Sequence, residues 1–187
     1  MTKFLNMFKR LLEISKYFIL GGVKYAKYIG VKVGSDCRIY TTSFGSEPFL
    51  IEIGDRVTIT SGVKILTHDG ATWLIRDKKG RRYLYKRVKI GNDVFIGVNS
   101  IIMPGVVIDD NVIIAAGAVV TKSIPTGSIV GGNPARLIGK YDQYKKNTII
   151  NNVSEKDIKW GLNYKERVLD VLDHSQKDFL KWVMRQF

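Results

Sequence analysis

Residues 90 to 125 read IGNDVF, IGVNSI, IMPGVV, IDDNVI, IAAGAV and VTKSIP, six consecutive blocks of six. Each block opens on an aliphatic residue: Ile90, Ile96, Ile102, Ile108, Ile114 and Val120. The fifth place holds Val94, Ser100, Val106, Val112, Ala118 and Ile124. An amphipathic helix repeats its apolar face every three or four residues and a half-buried strand every two, so strict period six fits neither alone. It fits short flat strands set three to a turn around a prism-shaped coil, one block per side. Both the aliphatic first place and the fifth place then point inward. Gly91, Asn92 and Gly97 follow the inward aliphatics, where the chain must bend, and are read as corner residues chosen for positive φ. The pattern is that of a parallel β-helix, so the chain is expected to be mainly β.

The repeat organises the rest of the chain. Residues 1–30 form an N-terminal helical segment: Phe4, Phe8, Leu11, Leu12, Tyr17 and Phe18 fall near one side, with Lys9, Arg10, Lys16 and Lys27 elsewhere, and Gly21-Gly22 divides it in two. It is expected either to pack on the end of the coil or on a neighbouring subunit, or to rest as a basic amphipathic segment on an anionic membrane surface. The β-helix occupies residues 31–141. Blocks at Val33 and Ile39 are in phase, the stretch FGSEPFLI at 44–51 carries a two-residue excess read as a bulged corner, and Ile53, Ile59 and Ile65 restore the period. Phase fails again until Ile90, so residues 71–89 are read as a projecting loop. Cys37 falls at a small inward place and is read as a core residue. The stretch GSIVGGNPAR at 127–136 closes the coil, and residues 142–187 turn helical. There Ser154 with Asp157 and Ser175 with Asp178 look like caps, and Val168, Leu169, Val171 and Leu172, then Phe179, Leu180, Trp182 and Val183, outline two short amphipathic helices.

A net charge of +13 favours anionic partners. The loop concentrates it, with Arg76, Lys78, Lys79, Arg81, Arg82, Lys86, Arg87 and Lys89 against Asp77 alone. Zinc-finger spacing, an RNP motif and a recognition helix are all missing, which argues against nucleic acid. A single cysteine excludes an internal disulfide, and with two histidines no metal is expected. No apolar run reaches a membrane span and no signal-peptide core is found, so a cytoplasmic location is expected, with contact at the inner membrane surface left open by the N-terminal segment.

His68 points outward by phase and stands directly before the loop. An imidazole so placed suits a general base, because histidine ordinarily titrates near neutrality. His174 lies outside every motif and is read as a surface or packing residue.

The stretch from Ile90 to Tyr141, with the loop after His68, closely resembles the hexapeptide-repeat acyltransferases, among them the maltose, galactoside and Nod-factor O-acetyltransferases and the xenobiotic acetyltransferases. The FGSEPFLI and ILTHDG segments look most like acetyltransferases of surface-polysaccharide clusters. The likeness covers roughly residues 33–140. It implies a left-handed parallel β-helix; periodicity does not give that hand, and the general preference for right-handed crossovers argues against it. It further implies a homotrimer with sites between subunits, acetyl-CoA as co-substrate, and direct transfer with His68 as the catalytic base. By the same likeness, a backbone N–H at Gly97 or Val98 faces the thioester, Ala116 and Gly117 border the pantetheine, and Thr121, Lys122 and Arg136 lie near the nucleotide. Phe95 stands where many relatives have Trp, and Asn133 precedes Pro134 where several have Val.

For the acceptor, Glu47 is a candidate ligand or partner of His68, or else a solvated loop carboxylate; Asp69 is a candidate ligand, a residue that orients His68, or a turn residue that points inward by phase; and Trp73 is a candidate sugar-stacking or loop-anchoring residue. The leading expectation is O-acetylation of a sugar in a surface polysaccharide or its precursor, with an anionic or lipid-linked acceptor suggested by the charge. N-acetylation of an amino sugar, O-acetylation of an antibiotic, and a non-catalytic scaffold are the alternatives.

Overall fold

The computed structural model describes residues 15–173 and 175. The apolar positions Phe4 to Leu12 and Phe179 to Val183, the Asp178 cap and His174 lie outside the described residues. The chain divides into two units, Met1–Tyr144 and Lys145–Phe187.

The first unit is built on three sheets of very short strands. One holds β1 (Lys32–Val33), β3 (Ile51–Ile53), β8 (Val88–Ile90) and β11 (Val107–Ile108). A second holds β2 (Arg38–Ile39), β4 (Thr58–Ile59), β9 (Phe95–Ile96), β12 (Ile113–Ile114) and β14 (Ser128–Gly131), with β15 (Arg136–Lys140) at its edge. The third holds β5 (Lys64–Ile65), β10 (Ile101–Ile102) and β13 (Val119–Val120). The chain visits the sheets in the same cyclic order each time round, and all pairings inside them are parallel except β14 with β15. Block-initial aliphatics register in columns: Ile53, Ile90 and Ile108; Ile59, Ile96 and Ile114; Ile65, Ile102 and Val120.

The first- and fifth-place residues of all six blocks are buried, including Ser100. The Ser100 hydroxyl is satisfied by donating to the carbonyls of Gly97 and Ala115. Each fully buried isoleucine contributes about 1.5–3 kcal/mol relative to exposure.

The corners differ from the expectation. Positive φ falls at Asp93, Asn99, Gly105, Asn111 and Gly117, the fourth place of the first five blocks, not at Gly91, Asn92 or Gly97. The glycines at the second place are demanded by crowding between coils. A Cβ on Gly54 would stand 2.7 Å from the Gly91 carbonyl oxygen, and one on Gly97 would stand 2.5 Å from the Ala116 nitrogen. Asn92 instead accepts the Asp55 N–H at 2.8 Å, tying one coil to the next.

Gly21, at φ 75°, separates helical residues 15–20 from α1 (Gly22–Tyr28). Tyr25 and Ala26 are buried, and α1 lies so close to the first coil that a Cβ on Gly22 would collide with the Ile39 carbonyl. This part of the N-terminal segment packs on the coil. Cys37 is half-buried against the core, its thiol 3.2 Å from the Gly54 carbonyl.

The helix α2 (Tyr141–Asn151) follows β15. In the second unit, Ser154 begins a 3-10 turn at Glu155–Asp157 in place of a longer helix, donating from its hydroxyl and backbone to Asp157. Ser175 donates to Asp173. Asn163 caps α3 (Tyr164–Asp170), on which Val168 and Leu169 are exposed. No helix among the described residues is long and apolar enough to cross a membrane.

Candidate active site

Two insertions in the repeat build the site. The bulge at 44–51 leaves the third sheet after Ser43, which bridges Lys64. Phe44, 1% exposed, anchors it in the core, and Gly45 at φ 65° brings it within reach of Thr67, whose hydroxyl a Cβ there would meet at 2.8 Å. Glu47 then lies one coil below His68. The 3-10 turn Pro48–Leu50 returns the chain to β3.

The second insertion leaves the third sheet one coil later. Thr67 is fully buried, and His68 beside it faces outward with 40% of its side chain exposed. Thr67 Oγ1 donates to Glu47 Oε2 at 2.6 Å, and His68 Nδ1 lies 2.9 Å from the same oxygen. The Thr67 hydroxyl foremost, and His68 after it, hold the Glu47 carboxyl below its ordinary value of 4.5 against the opposing effect of its burial. An ionised carboxylate only accepts, so Nδ1 carries the proton and the Nε2 lone pair of the neutral ring is left for another donor. That is the tautomer a general base requires.

Asp69 is exposed, correcting its inward placement by phase. The inward alternation ends at Thr67 because the backbone there leaves the coil, and Asp69 instead caps the 3-10 turn Gly70–Leu74 by accepting the Ala71 N–H. The loop carries a hairpin of β6 (Arg76–Asp77) and β7 (Gly80–Arg81). Its return strand pairs back onto the site: Tyr85 bridges His68, the Asp69 N–H donates to the Leu84 carbonyl, and the Lys86 N–H to the Thr67 carbonyl. The loop ends two residues earlier than the return of the repeat at Ile90 suggests, since Val88 is buried in β8 and Lys89 pairs with Glu52. Trp73 is half exposed, with the Arg76 guanidinium 4.3 Å from its ring centroid.

The residues tied to the cofactor by resemblance fall at two corners. Thr121, Lys122 and Arg136 line one cleft of about 340 Å³ with Ser123, Ser128 and Leu137. Through the column Ile65, Ile102 and Val120, this cleft opens at the same end of the third sheet as His68, two coils away. Gly97, Val98, Ala116 and Gly117 lie at the opposite end of that sheet's strands, stacked through the Gly117 N–H on the Val98 carbonyl at 2.7 Å. One chain therefore does not bring them to His68. The Gly97 N–H is engaged by the Ile114 carbonyl at 2.8 Å, so of the two expected oxyanion donors it cannot serve. Open space lies where a Gly117 Cβ would be, which suits close approach of a ligand to the backbone. Among the described residues no three His, Cys, Asp or Glu side chains converge as a metal site.

Sequence reasoning missed Thr67 and Tyr85. The alternation from Ile65 points to Thr67 as inward, but nothing in the sequence ties it to Glu47.

Residues 87–122 match the family described as bacterial transferase hexapeptide (six repeats). A Staphylococcus aureus protein named CapG is 44% identical over 178 residues, covering 94% of this chain and 96% of its own. The galactoside O-acetyltransferase of Escherichia coli is 35% identical over 100 residues, 54% of this chain and 49% of that enzyme. Among solved structures, the hexapeptide-repeat acetyltransferase VCA0836 of Vibrio cholerae superposes with a TM-score of 0.52 at 28% identity, over 60% of this chain and 63% of that one.

Proposed function

The chain belongs to the bacterial hexapeptide-repeat transferase family, and from that premise we propose that it is an acetyl-CoA-dependent O-acetyltransferase of a sugar hydroxyl, working as a left-handed parallel β-helix in a homotrimer. The observation that carries the reading is the outward His68 with its Nδ1 held by Glu47 at 2.9 Å. A scaffold has no use for an ionised carboxylate aligned on a half-exposed imidazole.

His68 Nε2 takes the proton of the acceptor hydroxyl as its oxygen attacks the thioester carbon, and as the C–S bond breaks the imidazolium returns that proton to the departing thiolate, which leaves as CoA. Glu47 keeps the ring in the accepting tautomer and stabilises the imidazolium as it forms, while Thr67 holds Glu47 from the core side. The 3′,5′-phosphorylated nucleotide end of CoA suits Lys122 and Arg136, whose charges face a cleft rather than a protein carboxylate. The corner of Gly97, Val98, Ala116 and Gly117 completes the site from a neighbouring subunit, with the Val98 N–H as the oxyanion donor. This accounts for its separation from His68 within one chain. The acceptor belongs to a surface polysaccharide or its precursor, and the reaction takes place in the cytoplasm.

The test is a thiol-release assay with acetyl-CoA and a panel of mono- and oligosaccharides. Acceptor-dependent CoA release by the wild-type protein, with the acetyl group recovered as an ester, is the expected result. An acetyl group recovered only as an amide would point to amino-sugar chemistry, and no release with any acceptor would point to a scaffold.

A further inference from the structure

The loop carries an arrangement that base chemistry alone does not need. Tyr83 and Tyr85 stack with an interplanar angle of 12° and centroids 6.2 Å apart, and the Tyr85 ring meets the His68 ring edge-on at 6.1 Å. Both tyrosines are more than half exposed. The Arg81 guanidinium lies 4.5 Å from the Tyr83 ring centroid, at the far end of the row from His68. Among the described residues the ion pairs of this loop are Arg82 with Asp77 and Arg87 with Glu52, which leaves Arg76, Lys78, Lys79, Arg81 and Lys86 without a carboxylate at ion-pair distance.

We propose that Tyr83, Tyr85 and Arg81 form an acceptor track for a carboxylate-bearing oligosaccharide, which they lead into the catalytic base; the proposal rests on the acetyltransferase reading above. Both rings leave more than half of their surface open beside the catalytic base, and the C–H face of a pyranose ring packs on exposed aromatic surface with its hydroxyls directed outward. The row from Tyr83 through Tyr85 to His68 takes two ring-to-ring steps, more than a single pyranose covers, so the ligand is at least a disaccharide. The guanidinium fork matches a carboxylate in two parallel hydrogen bonds, which selects an acidic sugar over a neutral one. The remaining lysines supply long-range attraction that salt screens. Because the row ends on an imidazole aligned for a hydroxyl proton, the fit is to a polyhydroxylated chain rather than to a nucleic acid.

The experiment is calorimetric titration of the full-length protein with a short oligogalacturonate and with a neutral maltooligosaccharide of equal length. Wild type, Tyr83→Ala, Tyr83→Phe and Arg81→Gln are compared, with melting temperatures as the check on folding. Oligogalacturonate should bind at least about ten-fold more tightly than the neutral chain, and raised salt should narrow the gap. Tyr83→Ala and Arg81→Gln should each weaken it by about ten-fold, while Tyr83→Phe, which keeps the ring, should retain it. Equal affinity for the two saccharides, or undiminished binding by folded Tyr83→Ala and Arg81→Gln proteins, would overturn the proposal. So would stronger binding of pyrophosphate or of a single-stranded oligonucleotide. Failure of acetyl-CoA turnover with every acceptor in the wild-type protein would instead strike the acetyltransferase reading, and these binding measurements do not depend on it.

Discussion

His68 Nδ1 lies 2.9 Å from Glu47 Oε2, a pair set 21 residues apart in sequence but on adjoining coils. The contact depends on both irregularities of the repeat. The bulge carries Glu47 out of the coil, and the loop begins where His68 can turn toward it. The buried Thr67 hydroxyl, 2.6 Å from the same oxygen, fixes the carboxylate from the other side.

His68→Ala should reduce acetyl transfer by at least about 100-fold, the lower end of general-base contributions. Its side chain is 40% exposed, so the melting temperature should hardly move. Near-normal turnover by a folded variant would remove His68 from the mechanism.

Glu47→Gln should reveal itself in the pH dependence of stability. The Glu47 carboxyl is held below 4.5, so over the acid range the unfolded chain binds more protons than the folded one. Its contribution is complete above the ordinary value and is lost as pH falls through the depressed folded one. Glu47→Gln should therefore melt below wild type at neutral pH, with the gap closing at pH values well under 4.5. A gap of constant size across that range would mean that the charge of Glu47 is not what stabilises the corner.

Lys122→Ala and Arg136→Ala should raise the KM for acetyl-CoA more than they lower kcat. On the proposed reading they hold the nucleotide end, remote from the reacting bond, and such contacts supply uniform binding. Steady-state kinetics at saturating acceptor reads the split. An unchanged KM in both variants would place the nucleotide elsewhere than the cleft they share.

Gly22→Ala should destabilise the first unit through overpacking, by about 1–3 kcal/mol, because the added methyl would strike the Ile39 carbonyl. Denaturant unfolding gives the value. An undiminished midpoint would show that α1 is not seated on the first coil in solution.

Much of the site was legible because a period-six repeat turns sequence position into direction. Outward His68, the bulge with Glu47 and the basic loop all follow from counting. The count failed where the backbone left the coil. Asp69 is exposed because the chain has turned into the loop by that residue, and Val88 is buried because β8 starts before the first clear aliphatic of the next block.

The sequence by itself determined the repeating core, since alternation about a flat strand leaves only one way to bury Ile90, Ile96, Ile102 and their counterparts. It also marked both insertions and the place of the basic loop. Tertiary structure decided what the insertions touch. Stacking of coils crowds Gly54 and Gly97, engages the Gly97 N–H with Ile114, and separates the Ala116–Gly117 corner from His68. It also set Glu47, Thr67 and Tyr85 around one imidazole. Those contacts arise between coils, and a spacing within a coil carries no information about how an insertion from one will meet the next.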